Sequence, residues 1–70
     1  MKEVLRNNVA SFRVKEDVTQ ETLGEGVGVT RQTIIAIGKG NYTPSTLLAL
    51  KISTFFEKKV EDIFFISYEK

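Results

Sequence analysis

Arg31 and Gln32 adjoin in the run Thr30-Arg31-Gln32-Thr33-Ile34-Ile35-Ala36-Ile37, and both side chains can read the edges of base pairs. A guanidinium donates two hydrogen bonds to guanine, a carboxamide pairs with adenine, and a small apolar surface accepts the thymine methyl group. Set on a helix at about 100° per residue, Ile34 and Ile37 share one side, while Gln32, Ala36 and Ile35 take the other with Arg31 beside them. The first side is expected to face a core. The second, with Ile35 exposed among polar groups, has the composition of a surface that lies in a major groove.

Other chemistry is scarce. The 70 residues include no Cys and no His, which removes thiol nucleophiles, disulfides, imidazole bases and the usual zinc sites. Glu21 and Glu25, four apart, read as a solvated pair on a helix with no pocket implied. Leu23-Gly24-Glu25-Gly26-Val27-Gly28 is not a dinucleotide loop, because that spacing requires glycine where Val29 stands. Gly38-Lys39-Gly40 is not a phosphate-binding P-loop either, since Thr33 and Gly40 occupy the positions of its first glycine and its hydroxyl. No enzyme activity, cofactor, metal or small-molecule ligand is expected.

Short helices must position the reading residues. Leu5, Val9 and Phe12 share a stripe of a first helix expected from near Val4 to Lys15, broken by Asp17-Val18-Thr19. Thr19 is a candidate N-cap for a second helix that turns Leu23 and Val27 inward and stops at Gly28. Thr30 caps a third helix from Arg31 to Ile37, ended by Gly38 and Gly40. Thr43-Pro44 fits an N-cap followed by proline in the first turn, opening a fourth helix through Phe56, with a last short helix over about 60–64. Two short helices joined through Gly28-Val29-Thr30 cannot each bury a face alone, and so form a helix-turn-helix unit.

A chain this short holds one core, so residues 1–70 read as a single domain. No apolar run reaches the about 18 residues of a membrane span, and Lys2-Glu3-Val4-Leu5-Arg6-Asn7-Asn8 is too polar for a signal peptide. The chain is expected in the cytoplasm, on the nucleoid when bound to DNA. Its net charge of +1 is segregated: residues 1–15 and 26–60 are basic, while Glu16, Asp17, Glu21 and Glu25 make the stretch between them acidic. That pattern suits one basic face, though charge alone is a weak signal.

At these residues the chain resembles the lambda-repressor-like, or XRE-type, helix-turn-helix regulators. The resemblance is carried by Arg13, Thr19-Gln20-Glu21, Gly28-Val29-Thr30-Arg31-Gln32-Thr33-Ile34, Lys39-Gly40-Asn41-Tyr42-Thr43-Pro44-Ser45, Ala49-Leu50-Lys51-Ile52 and Val60-Glu61-Asp62-Ile63-Phe64. It implies an all-α, compact five-helix domain, a homodimer on a pseudo-palindromic operator, and transcriptional control. Arg31, Gln32, Thr33 and Ala36 match base-reading positions; Arg13, Gln20, Lys39, Asn41 and Tyr42 match phosphate-contacting ones. Arg13 has an alternative use in pairing with an acid on helix two. The chain departs from the family where Gly24 replaces the usual alanine, Gly26 a longer side chain, Gly38 a polar residue, and Glu57-Lys58-Lys59 the common Gly-Val-Ser turn. Two glycines inside helix two should make it the least stable element, at about 1 kcal/mol each.

Leu48, Ala49, Ile52 and Phe56 share the core side of helix four, leaving Leu47 and Leu50 opposite. With Phe65, Ile66 and Tyr68, these two make the expected dimer interface. Phe65-Ile66-Ser67-Tyr68 is rich in strand-forming types, so residues 65–70 are expected as a dimerisation tail, extended or paired with residues 1–4 or the partner. The function expected is sequence-specific binding of double-stranded DNA by a homodimeric transcriptional regulator, a repressor. The rival is a protein-interaction module, an antitoxin or adaptor, that uses Leu47, Leu50 and Phe65 with helix three idle.

Overall fold

The computed structural model describes residues 1–70 in the order β1 (Lys2–Asn7), α1 (Val9–Lys15), α2 (Gln20–Val27), α3 (Arg31–Gly38), α4 (Thr46–Phe55), α5 (Val60–Ile63) and β2 (Phe64–Glu69). α2 and α3 start alike. The Thr19 hydroxyl accepts from Thr22 N at 3.0 Å, and the Thr30 hydroxyl accepts from Thr33 N at 3.3 Å. Each cap satisfies one of the amide donors a helix leaves free at its start. α4 begins later than the sequence suggests. Ser45, not Thr43, is its cap, with the Ser45 hydroxyl accepting from Leu48 N at 3.2 Å, so Pro44 precedes the helix instead of opening it.

The five helices are present, but the all-α expectation is corrected by the two strands, which pair antiparallel from Lys2↔Glu69 to Asn7↔Phe64. Residues 4–7 were the expected start of the first helix. They extend because β2 offers them a full ladder, and because Asn7 and Asn8 separate them from α1. The Asn7 side chain accepts from Val9 N at 3.0 Å and donates to the Ile37 carbonyl at 3.0 Å. Asn8 N donates to the Ile63 carbonyl at 2.8 Å, tying the start of α1 to the end of α5. Leu5 therefore leaves the α1 stripe and is partly exposed on the sheet, whereas Val9 is buried as expected. The extended tail is borne out in its variant of pairing with the chain's own beginning.

The core draws on all five helices and the first residue of β2: Val9, Leu23, Val27, Ile34, Ile37, Leu48, Ile52, Phe56, Ile63 and Phe64. Fully burying each such side chain stabilises by about 1.5–3 kcal/mol. The stripe expected on helix four holds, with Ala49 half-buried against the cluster. Ser53 is the one buried polar side chain, and its hydroxyl is satisfied by the Ala49 carbonyl at 2.8 Å. No helix is long and apolar enough to cross a membrane.

Candidate nucleic-acid interface

Close backbone approach sets the angle between α2 and α3. A methyl group added at Gly24 would lie 2.8 Å from the Val29 carbonyl oxygen and 3.3 Å from the Thr30 carbonyl carbon, so α2 rests directly on the turn. Gly28, at φ 80°, occupies the left-handed conformation that ends α2 and re-aims the chain into α3. Gly26 lies under the Phe55 ring, whose edge would be 2.5 Å from an added Cβ. The two glycines that look costly from helix propensity are thus packing requirements: Gly24 admits the turn and Gly26 admits Phe55.

On α3, Ile34 and Ile37 are buried and Arg31 and Gln32 are exposed, the division expected from the helical period. Ile35 departs from it. It is half-buried, as are Ala36 and Thr33, so the outward side of α3 is narrower than an exposed Ile35 would make it. The Thr33 hydroxyl is 3.2 Å from that of Thr30, linking this candidate reader to the helix cap.

The chain after α3 turns sharply. Gly40, at φ 78°, allows Asn41 N to reach the Ala36 carbonyl at 2.9 Å. This closure holds Lys39 and Asn41, both exposed, at the end of the helix. Tyr42, also exposed, shares a recess with Gly28 and Val29, which brings the loop beside the turn. Gln20 is the first residue of α2 and half-buried. Arg13 is half-buried on α1 and donates to the Val18 carbonyl at 3.0 Å. It pairs with no acid on α2, since the one ion pair of the molecule joins Arg6 to Glu69.

The five residues expected at a dimer interface do not form one surface. Directly opposed strand residues share a face, so the pairings Leu5↔Ile66 and Glu3↔Tyr68 put Ile66 and Tyr68 with Leu5, whereas Arg6↔Phe65 puts Phe65 on the reverse side. Leu47 and Leu50 lie on α4, 64% and 49% exposed. Leu5 and Arg6 are surface residues that the sequence reading missed; the one signal was on the partner strand, where Phe64, Ile66 and Tyr68 fall at every second position, and a helical stripe through Leu5 concealed its counterpart.

A helix-turn-helix family profile matches residues 9–63, the five helices without either strand. The chain belongs to the XRE-type helix-turn-helix family. An uncharacterized HTH-type transcriptional regulator of Bacillus subtilis is 52% identical over 65 residues, covering 93% of this chain and 98% of that protein. A second, of Methanocaldococcus jannaschii, is 52% identical over 60 residues, covering 86% of this chain and 91% of that protein. A third, of Archaeoglobus fulgidus, is 46% identical over 66 residues, covering 94% and 93%. These helix-turn-helix relatives are matched over nearly their whole lengths, so each consists of a unit of this size.

Proposed function

We propose that the protein is a transcriptional regulator, acting as a repressor, that binds double-stranded DNA as a homodimer and reads a pseudo-palindromic operator. The observation that carries this reading is the two-sided third helix. Ile34 and Ile37 anchor it in the core while Arg31 and Gln32 stand free on the other side, with Thr33 and Ala36 half-buried beside them. Arg31, Gln32, Thr33 and Ala36 read bases; Gln20, Lys39, Asn41, Tyr42 and Arg13 hold phosphates and fix the register. One carbonyl occupies a single Arg13 N–H, and with no acid partner its charge is available to a phosphate. Such a protein acts by occupying its site in competition with polymerase, without catalysis.

The regulators named among its relatives support DNA as the partner. A core of this size supplies about 3–5 kcal/mol, so pairing also stabilises each protomer. The sheet face of Leu5, Ile66 and Tyr68 carries the interface, placing two α3 helices about 34 Å apart, one turn of B-DNA. Ile66, at 59% exposed, costs the isolated fold little when replaced. Ile66→Asp therefore gives a folded chain that sediments as a monomer at micromolar concentration; a dimer unchanged by it moves the interface to Leu47 and Leu50 on α4.

The deciding experiment is a gel-shift against DNA from the gene's own upstream region, with two variants. Gln32→Ala leaves Ile34 and Ile37 packed, so stability changes by less than about 0.5 kcal/mol. It costs about 1–3 kcal/mol per half-site and relaxes preference at one base pair. Lys39→Ala weakens binding to all duplexes alike and lowers the slope of log K against log[salt] by about 0.9 per protomer. Sequence preference lost with Lys39 and kept without Gln32 would reverse these roles. Binding to neither specific nor random DNA favours the protein-interaction reading, for which the exposed Leu47 and Leu50 are the surface.

A further inference from the structure

β1 lies against the end of the reading helix. The Asn7 side chain bonds the Ile37 carbonyl at 3.0 Å, and residues 4–7 and 38–40 together enclose a cleft of about 190 Å³. The residues lining it include Arg6 and Lys39 and none that is acidic, and the Arg6 guanidinium is drawn along the strands to Glu69. The cleft is also bare of covering side chains on the α3 side: a methyl group added at Gly38 or Gly40 would meet nothing within 4 Å. Lys39 already belongs to the loop expected to hold a phosphate. Arg6 sits one cleft away on a strand outside the helix-turn-helix family match.

Arg6 has a single ionic partner, Glu69, on the opposing strand. The register puts Lys2, Arg6, Phe65, Ser67 and Glu69 on one sheet face, so this face carries two cations and one acid. The arginine and glutamate side chains are 53% and 44% exposed. An ion pair so open to water contributes little to stability and is readily exchanged. A phosphate offers a guanidinium the same paired oxygens as a carboxylate, and on DNA it belongs to a dense row of charges whose neutralisation releases counterions.

We propose that Arg6 is a further DNA-backbone contact, on the strand that closes the cleft at the end of α3, and that Glu69 is its occupant when DNA is absent. This rests on the DNA-binding reading and extends the footprint from the helix-turn-helix onto the terminal sheet. On binding, a phosphate oxygen replaces the Glu69 carboxylate at the guanidinium. Glu69 therefore competes with DNA, setting the affinity for any sequence while leaving the choice among sequences to α3.

The test uses fluorescence anisotropy with a labelled random-sequence duplex and a labelled upstream-region duplex, from about 50 to 200 mM KCl. Arg6→Gln should weaken both equally and lower the salt slope by about 0.9 per protomer, and Arg6→Lys should restore the slope. Glu69→Gln should tighten both severalfold. In an Arg6→Gln background, Glu69→Gln should lose most of that gain, because the glutamate acts through the arginine. Circular dichroism melts of each variant identify any that loosens the strands; if Arg6→Gln does, Arg6→Lys and Glu69→Gln still carry the comparison. The proposal is overturned if Arg6→Gln leaves the slope unchanged while Lys39→Ala lowers it, or if Glu69→Gln tightens binding by the same factor with and without Arg6. Failure of the wild-type chain to bind either duplex is distinguishable from both, and overturns the DNA-binding reading itself.

Discussion

Four helices end in the same turn, but the two that form the reading unit end it with glycine and the two that support it do not. After α1, α2, α3 and α4 the left-handed residue is Asp17, Gly28, Gly40 and Glu57, at φ 57°, 80°, 78° and 56°. Each turn closes with an amide reaching five residues back: Val18 to Arg13, Val29 to Gly24, Asn41 to Ala36 and Lys58 to Ser53, all between 2.8 and 2.9 Å. The same five-residue closure thus coexists with different backbone strain, since an L side chain in this conformation costs about 1–2 kcal/mol and glycine avoids it. The strain is placed away from α2 and α3. The unit that must hold Arg31 and Gln32 in register with a groove is built from unstrained turns and close backbone contact, while α1 and α4 supply bulk behind it.

The largest expected effect breaks that unit directly. Gly24→Val puts a branched side chain where even a Cβ would lie 2.8 Å from the Val29 carbonyl. The obstacle is backbone, so no rotamer relieves it, and α2 must separate from the turn. Stability should fall by about 3 kcal/mol, most of what a core of this size provides, and thermal denaturation will show the midpoint lowered by about 12–24 °C. A folded variant with an unchanged midpoint would mean that the turn is free to move, and that the close approach does not set the angle between α2 and α3.

Legibility in the sequence tracks the range of the interactions. Thr19, Thr30 and Gly28 act on atoms within a few residues, and the spacing of Leu23, Val27, Ile34 and Ile37 marks one face of each helix; all were readable and the core confirms them. The reversal of Gly24 from liability to requirement was not, because the Val29 carbonyl that needs the space is placed by tertiary packing. β1 was misread for a related reason. Leu5, Val9 and Phe12 fit a helical stripe, and only the pairing with a strand some sixty residues away, Leu5↔Ile66 and Asn7↔Phe64, overrides it. The candidate site divides in the same way. Arg31 and Gln32 announce themselves by type and position, whereas Arg6 becomes visible only when Asn7 ties its strand to the end of α3.

A smaller change sharpens the contrast between the two kinds of helix end. Glu57→Gly removes the cost of a left-handed L residue, about 1–2 kcal/mol, and gives back about 0.4–1 kcal/mol through the greater freedom of the unfolded chain. The net gain should be about 0.5–1 kcal/mol, a rise of several degrees in the melting midpoint for a chain this short. Nothing else is lost, because Glu57 is exposed, forms no ion pair, and its backbone bond to the Thr54 carbonyl at 3.0 Å does not depend on the side chain. Asp17→Gly should gain less, since aspartate enters this region more readily than glutamate. Neither change touches α2 or α3, so the salt slope and sequence preference on DNA should stay those of the wild type. If Asp17→Gly proved the more stabilising, or if either variant altered sequence preference, the strain at the supporting ends would be coupled to the reading helix, and the separation between the two regions would fail.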